Sequence, residues 1–365
     1  MNQPAQDRDK AEAERNSSEG QFIRRRLAAG AAVYGALLLV FWLIARFFHL
    51  KALEEYPVST FLGFALLFAP YWLFGFGLAP VLRRALRHGA TQIMAAALLA
   101  LPYFVLTLPR GTLHWQVAGV LIAIPVLVAA VLQAWPRPAN WADLVVLATL
   151  GLAIDLGLLS HAWPFGLTGA ALWPAGLGGF PKMMMANVAL YGYLVVKPVE
   201  GVGYDLVPRF EDWKIGLREF LFYAPIVLTL GVLLGFIHWQ GLMKRPQEFP
   251  AAWIFTFIFV ALPEELFFRG LVQNLLERHL GRARALTVAA VLFGLSHFNK
   301  GAVFNWRYVI LATIAGIFYG RAWRARRLRR GQERDCISAE LLFQPTRRRR
   351  LHALRRQLSA SDSVV

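Results

Sequence analysis

The chain has 365 residues, 57% of them hydrophobic and only 17% charged, with a mean hydropathy of +0.46. A water-soluble enzyme of this size is excluded: 27 Phe and 12 Trp would present more apolar surface than one core hides, whereas lipid accepts that surface without penalty. A single cysteine, Cys336, rules out an internal disulfide and cysteine-built zinc sites and argues against thiol redox chemistry; of the net charge of +17, about half lies in one tail from Arg321 onward.

In chain order, residues 1–26 read as a polar cytoplasmic amino terminus. No cleavable signal peptide is expected, because the first apolar run is followed by no small-residue cleavage site, and that run is expected to be a permanent anchor. Apolar stretches able to cross a bilayer, at about 20 residues per helix, fall at 27–48, 60–82, 92–108, 116–134, 143–160, 181–197, 218–237, 251–272, 285–300 and 307–323. These predict an all-α, polytopic transmembrane bundle of about ten helices. The third, fourth and ninth are the weakest, since each is short or carries a proline, a polar residue or a charge.

Cations alternate along the connections. Arg24, Arg25 and Arg26 precede the first span, Arg83, Arg84 and Arg87 follow the second, and Arg278, Arg282 and Arg284 follow the eighth. The intervening loops are poorer in Lys and Arg, which places both termini in the cytoplasm. The stretch 161–181 is apolar but rich in Gly and Pro, and reads as re-entrant or interfacial. Residues 27–200 form an amino-terminal membrane region without an assigned role, and no internal repeat is visible. The basic residues 326–365 read as a cytoplasmic tail touching anionic lipid rather than nucleic acid. The Gly231/Gly235 and Gly316/Gly320 spacings predict close helix packing.

Ionisable side chains inside apolar segments carry the functional signal, because each costs about 2.5–3.5 kcal/mol at a helix centre on the insertion scale. The outlier is AAWIFTFIFVALPEELFFRGLVQNLL, with Glu264, Glu265 and Arg269 within six residues. Glu265 and Arg269 are four apart and share a helix face, close enough to pair. Glu264 points away from Arg269, and its own helix offers it no counter-ion. A desolvated carboxylate of that kind suits general acid–base work. Pro263 removes a backbone donor immediately before the pair and is expected to kink or open the helix. The plainer account is that all three charges snorkel at a helix end.

A second polar site lies in AAVLFGLSHFNKG, where Phe293 and His297 share a helix face. Histidine can exchange a proton, orient a water or bind a metal. Asp155 and Asn187 are expected to hydrogen-bond between helices, and His114 and His161 to lie at the interface. No GxSxG, P-loop or HExxH motif is present.

PEELFFRG followed by FGLSH resembles the first two signature motifs, EExxxR and FxxxH, of the CPBP (Abi, CAAX protease and bacteriocin-processing) family of intramembrane endopeptidases. The likeness runs from about Phe220 to Trp323, marking 215–325 as a protease-like domain. It implies Glu264 as the carboxylate that activates water, Glu265 and Arg269 as its support, and His297 as the water-orienting partner with Phe293 beside it. Members are described as glutamic or as metalloproteases. A metal, if used, would fall to Glu264 and His297. A zinc site wants three protein ligands, and only these two and Glu265 are at hand, so the reading favours no cofactor, with zinc as the alternative.

The family's third motif, a His followed four residues later by Asn or Asp, has no counterpart. His352 is the only histidine after Trp323, and four residues on stands Arg356. The arginine-rich end therefore reads as divergent, truncated or frame-shifted, with Asn299 as a substitute oxyanion donor. The resemblance implies hydrolysis of a peptide bond in a membrane-anchored protein or peptide: a CAAX tail, a bacteriocin-related peptide or a sorting tail. It also implies residence in a bacterial inner membrane. The alternatives are a weak or inactive member acting as scaffold or immunity protein and, third, a proton-coupled transporter.

Overall fold

The computed structural model describes residues 3–47, 55–136, 140–156, 179–207, 209–238, 253, 256–298 and 304–329, and every regular element among them is helical. Helix α1 spans Gln3–Phe47, α2 Pro57–Gly75, α3 Leu78–Ala85 and α4 Gly89–Ala96. A 3₁₀ turn, Ala97–Ala100, joins α4 to α5, Leu101–Thr107. Then come α6, Trp115–Ala134, α7, Trp141–Asp155, and α8, Gly179–Tyr191, which ends in a π turn, Gly192–Val196. Helix α9 is Phe210–Leu233. Helix α10 is composite: a π turn Phe257–Ala261, α-helical Leu262–Glu265, a π stretch Leu266–Gln273 and an α-helical end Asn274–Leu280. Helix α11 is Arg282–Leu295, and α12 covers 306–329.

Five runs are long and apolar enough to cross a membrane: Gly20–Leu43, Pro57–Gly75, Gly89–Arg110, Trp115–Ala134 and Phe210–Leu233. They coincide with five of the ten expected spans. The other expected segments are largely helical where described; α7 has 15 residues and the apolar stretch Lys182–Val196 has 15. Helix α1 runs on through both the polar amino terminus and the first span. Residues 161–178 of the expected re-entrant stretch, with His161, lie outside the described residues, as do Asn299 and the tail from 330 on.

Local chemistry explains where several helices begin and end. Asn140 and Asp143 form a reciprocal capping box at the start of α7, the Asn140 Oδ1 accepting from the Asp143 amide at 3.2 Å and the Asp143 Oδ2 from the Asn140 amide at 3.0 Å. Helix α9 opens with Glu211 and Asp212, acids at the positive end of the helix dipole. Gly281, at φ +75°, makes the turn between α10 and α11 that a residue with a Cβ would resist.

Beside a small cluster of Phe293, Ala312 and Ala315, a main apolar core joins the two halves of the chain. It extends from Leu67 and Tyr71 of α2, through Met183, Met184 and Met185 of α8, to Leu271 and Leu275 of α10 and Ala285 and Ala289 of α11. The amino-terminal membrane region and the protease-like segment are thus packed as one body of side chains. Polar threads run through this body: the Asn187 amide of α8 donates to the Leu67 carbonyl of α2 at 2.7 Å, as expected of an interhelical contact, and the Tyr71 hydroxyl of α2 donates across the join to the Ile258 carbonyl of α10 at 3.3 Å. The glycine spacings divide. A Cβ at Gly316 would come within 2.9 Å of the Ala290 Cα, so that pair does mark a close α11–α12 seam. Gly235 instead has φ +61° just past the end of α9, where it serves as a helix stop.

Candidate active site

The EExxxR segment sits on a helix whose backbone is widened by π turns. Pro263 has π-helical backbone on both sides, Phe257–Ala261 before it and Leu266–Gln273 after the short α-helical link. In a π turn the hydrogen bonds run from i to i+5, and such turns recur at functional sites because they re-aim side chains. The missing amide of the proline costs little in a helix already widened.

Within this helix the two glutamates part company as the spacing predicts. Glu265 Oε1 lies 3.2 Å from Arg269 Nη1, one turn on. Arg269 is 2% exposed, and its Nη2 has no hydrogen-bond partner among the described residues. Aromatic faces take up the rest of its charge, with the guanidinium 4.1 Å from the Phe293 ring centroid and 5.3 Å from that of Tyr319. Phe293 in turn meets the His297 ring edge-on at 4.9 Å. The two sequence motifs are therefore joined through side chains: Glu265 to Arg269, Arg269 to Phe293, Phe293 to His297.

His297 is 4% exposed at the end of α11. Its Nδ1 is 2.8 Å from the Phe293 carbonyl oxygen, and a carbonyl only accepts, so Nδ1 carries the proton and Nε2 is the basic nitrogen. The Ser296 hydroxyl, 3.2 Å from the same Nδ1, also donates to the Phe293 carbonyl at 2.8 Å. Tyr308 of α12 closes the other side, its ring 4.7 Å from the imidazole.

Glu264 faces a small cavity of about 50 Å³, shared with Asp155, Lys182, Phe267, Phe268 and Ser296. A water needs roughly 10–15 Å³ on this measure, so the cavity has room for a few. Here the local reading of the sequence is corrected. Glu264 is not without a countercharge: Lys182 of α8 brings its Nζ to 3.4 Å from Oε1, across 82 residues of chain. Asp155, expected to serve only an interhelical contact, also lines this cavity.

Lys182 escaped the sequence reading although the rule that singled out Glu264 applies equally to it, a lone cation at the head of an apolar segment. Ser296 and Tyr308 carried no signal of their own. Among the described residues no three His, Cys, Asp or Glu side chains gather as the donor set of a zinc site would require.

Residues 246–329, which carry Glu264, Glu265, Arg269, Phe293 and His297, match the family model described as Rce1-like, type II CAAX prenyl endopeptidase Rce1-like. The match supports the CPBP/CAAX protease family for this segment. No curated protein and no solved structure matches the chain. The family match and the apolar helices together make this an integral membrane protein with a CAAX-protease-like segment at its carboxy-terminal side.

Proposed function

We propose that the chain is a CAAX-type intramembrane endopeptidase in which Glu264 is the general base for water attack. The observation that carries the reading is the placement of Glu264 on a water-sized, partly polar cavity inside an otherwise apolar bundle, with the residue next to His297 on the same cavity. In this scheme a water in the cavity gives a proton to the Glu264 carboxylate as its oxygen bonds to the scissile carbonyl carbon. The proton then passes to the amide nitrogen as the C–N bond breaks, leaving an acid and an amine. His297 orients that water or relays the proton through Nε2. Glu265, Arg269 and Phe293 hold the helix and the imidazole in place.

The substrate class follows from the same surroundings. A cavity set within lipid-facing helices receives a peptide already anchored in the membrane, as a prenylated carboxy-terminal tail is, and the arginines at the end of α12 suit an anionic lipid surface. Purified protein in liposomes, given an internally quenched farnesylated peptide ending in Cys-aliphatic-aliphatic-X, tests the reading. Glu264→Gln should lower turnover by about 10²–10⁴-fold, the usual weight of a general base, with helix content and melting temperature unchanged. Equal turnover in the two proteins would remove Glu264 from the chemistry and favour a scaffold.

A further inference from the structure

We propose that Lys182, supplied by the amino-terminal membrane region, is a catalytic residue of this site, its ammonium donating to the scissile carbonyl oxygen as negative charge gathers there. The inference rests on the reading of Glu264 as general base and goes beyond it by assigning the oxyanion donor.

Three observations converge. First, base and donor must flank one reacting carbonyl, each about 3 Å from the atom it serves. Lys182 Nζ stands 3.4 Å from Glu264 Oε1, and both side chains line the same small cavity. Second, Lys182 is the one cation among the described side chains that line it. Arg269, the other cation of the motif, is committed to Glu265 and to the rings of Phe293 and Tyr319. Third, an ammonium has three N–H donors. The contact with Glu264 uses one, and the side chain keeps 31% of its surface exposed, so it is not locked away as a purely structural cation would be.

The chemistry needs nothing further. Water oxygen bonds to the carbonyl carbon, the carbonyl electron pair moves onto oxygen opposite the Lys182 ammonium, and collapse expels the amine, protonated through Glu264. Lys182 neither gains nor loses a proton overall. Its placement also gives α7 and α8 a role that packing alone does not: they wall the cavity with Asp155 and bring to it a cation from outside the family-matched segment 246–329.

The test uses the full chain in liposomes with the farnesylated Cys-aliphatic-aliphatic-X reporter and compares wild type, Glu264→Gln, Lys182→Met and Lys182→Arg. Removing an oxyanion donor lowers kcat by about 10²–10³-fold with KM unchanged, since the interaction is made only in the transition state. Lys182→Arg should recover part of that loss. Lys182→Cys in a Cys336→Ser background, alkylated with 2-bromoethylamine to rebuild an ammonium at the end of the side chain, should regain turnover even if Lys182→Met folds poorly. A Lys182→Met enzyme within about threefold of wild type, or a folded, alkylated Lys182→Cys protein that stays inactive, overturns the proposal while a dead Glu264→Gln leaves the base assignment standing. If wild type does not cleave the reporter, or Glu264→Gln equals it, the base assignment fails and the Lys182 role fails with it.

Discussion

Two lysines on the α8 segment, fifteen residues apart in number, meet acids in opposite ways. Lys197 and Asp143 form a pair at 2.7 Å with side chains 4% and 0% exposed, and every part of the aspartate is engaged. Its Oδ1 takes the lysine, its Oδ2 the Asn140 amide and its backbone carbonyl the Tyr193 hydroxyl at 2.7 Å. Lys182 and Glu264 lie 3.4 Å apart, 31% and 19% exposed, on the wall of a cavity. The first pair is closed and serves the join between α7 and α8. The second is longer and more exposed, with room beside it for water. A buried charge pair that is saturated with hydrogen bonds reads as architecture; one that is held open reads as chemistry.

The sharpest way to break that contrast is Asp143→Ala. It strands the Lys197 ammonium in the interior and removes the α7 cap, so stability should fall by about 3–5 kcal/mol. Thermal unfolding in detergent would show it, while the protein that remains folded keeps the kcat of wild type. Lys182→Met should do the reverse, lowering kcat with little change in melting temperature. Were Asp143→Ala to leave the melting temperature where it was, the closed pair would not be the architectural element its geometry indicates.

What was legible in the sequence follows the same divide. Glu265–Arg269 and Phe293–His297 are neighbours within one helix turn, and helical periodicity alone is enough to place both pairs. The link between the two motifs, through Arg269 over the Phe293 ring, needs α10 and α11 to be packed and had no sequence signal. Lys182 and Asp143 find partners 82 and 54 residues away, so a search for counter-ions along each helix missed both. Among the described residues, five of the ten expected spans have the length and hydropathy of a crossing helix. Hydropathy scores a stretch by its residues, whereas α7 and α8 are short helices whose surroundings are other helices: Val146, Leu147 and Leu150 of α7 and residues 183–190 of α8 are buried inside the bundle.

A second, smaller perturbation tests the closed packing away from any charge. Gly316 lets α12 approach α11 until a Cβ there would sit 2.9 Å from the Ala290 Cα and 3.2 Å from its carbonyl oxygen, backbone atoms that cannot step aside. Gly316→Val should therefore cost about 1–3 kcal/mol by overpacking. Because α12 also carries Tyr308 against the His297 ring, displaced helices should lower turnover as well, whereas a fall in melting temperature with unchanged kcat would show that the imidazole is positioned by α11 alone.

The smallest expected effect bears on the open region and on how the two motifs communicate. Phe293 is 5% exposed and stands between the Arg269 guanidinium and the His297 ring, with Phe268 at 5.1 Å edge-on. Phe293→Leu keeps an apolar side chain of similar reach but removes the ring face beneath a buried guanidinium whose Nη2 has no hydrogen-bond partner among the described residues. A desolvated cation–π contact is worth about 0.5–2 kcal/mol, so stability should drop by that order. If Arg269 also steadies His297 through this ring, kcat should fall by up to about tenfold, the factor matching 1.4 kcal/mol in the barrier. Should Phe293→Leu match wild type in both melting temperature and kcat, the ion pair with Glu265 holds Arg269 alone, and the EExxxR and FxxxH motifs meet only at the cavity.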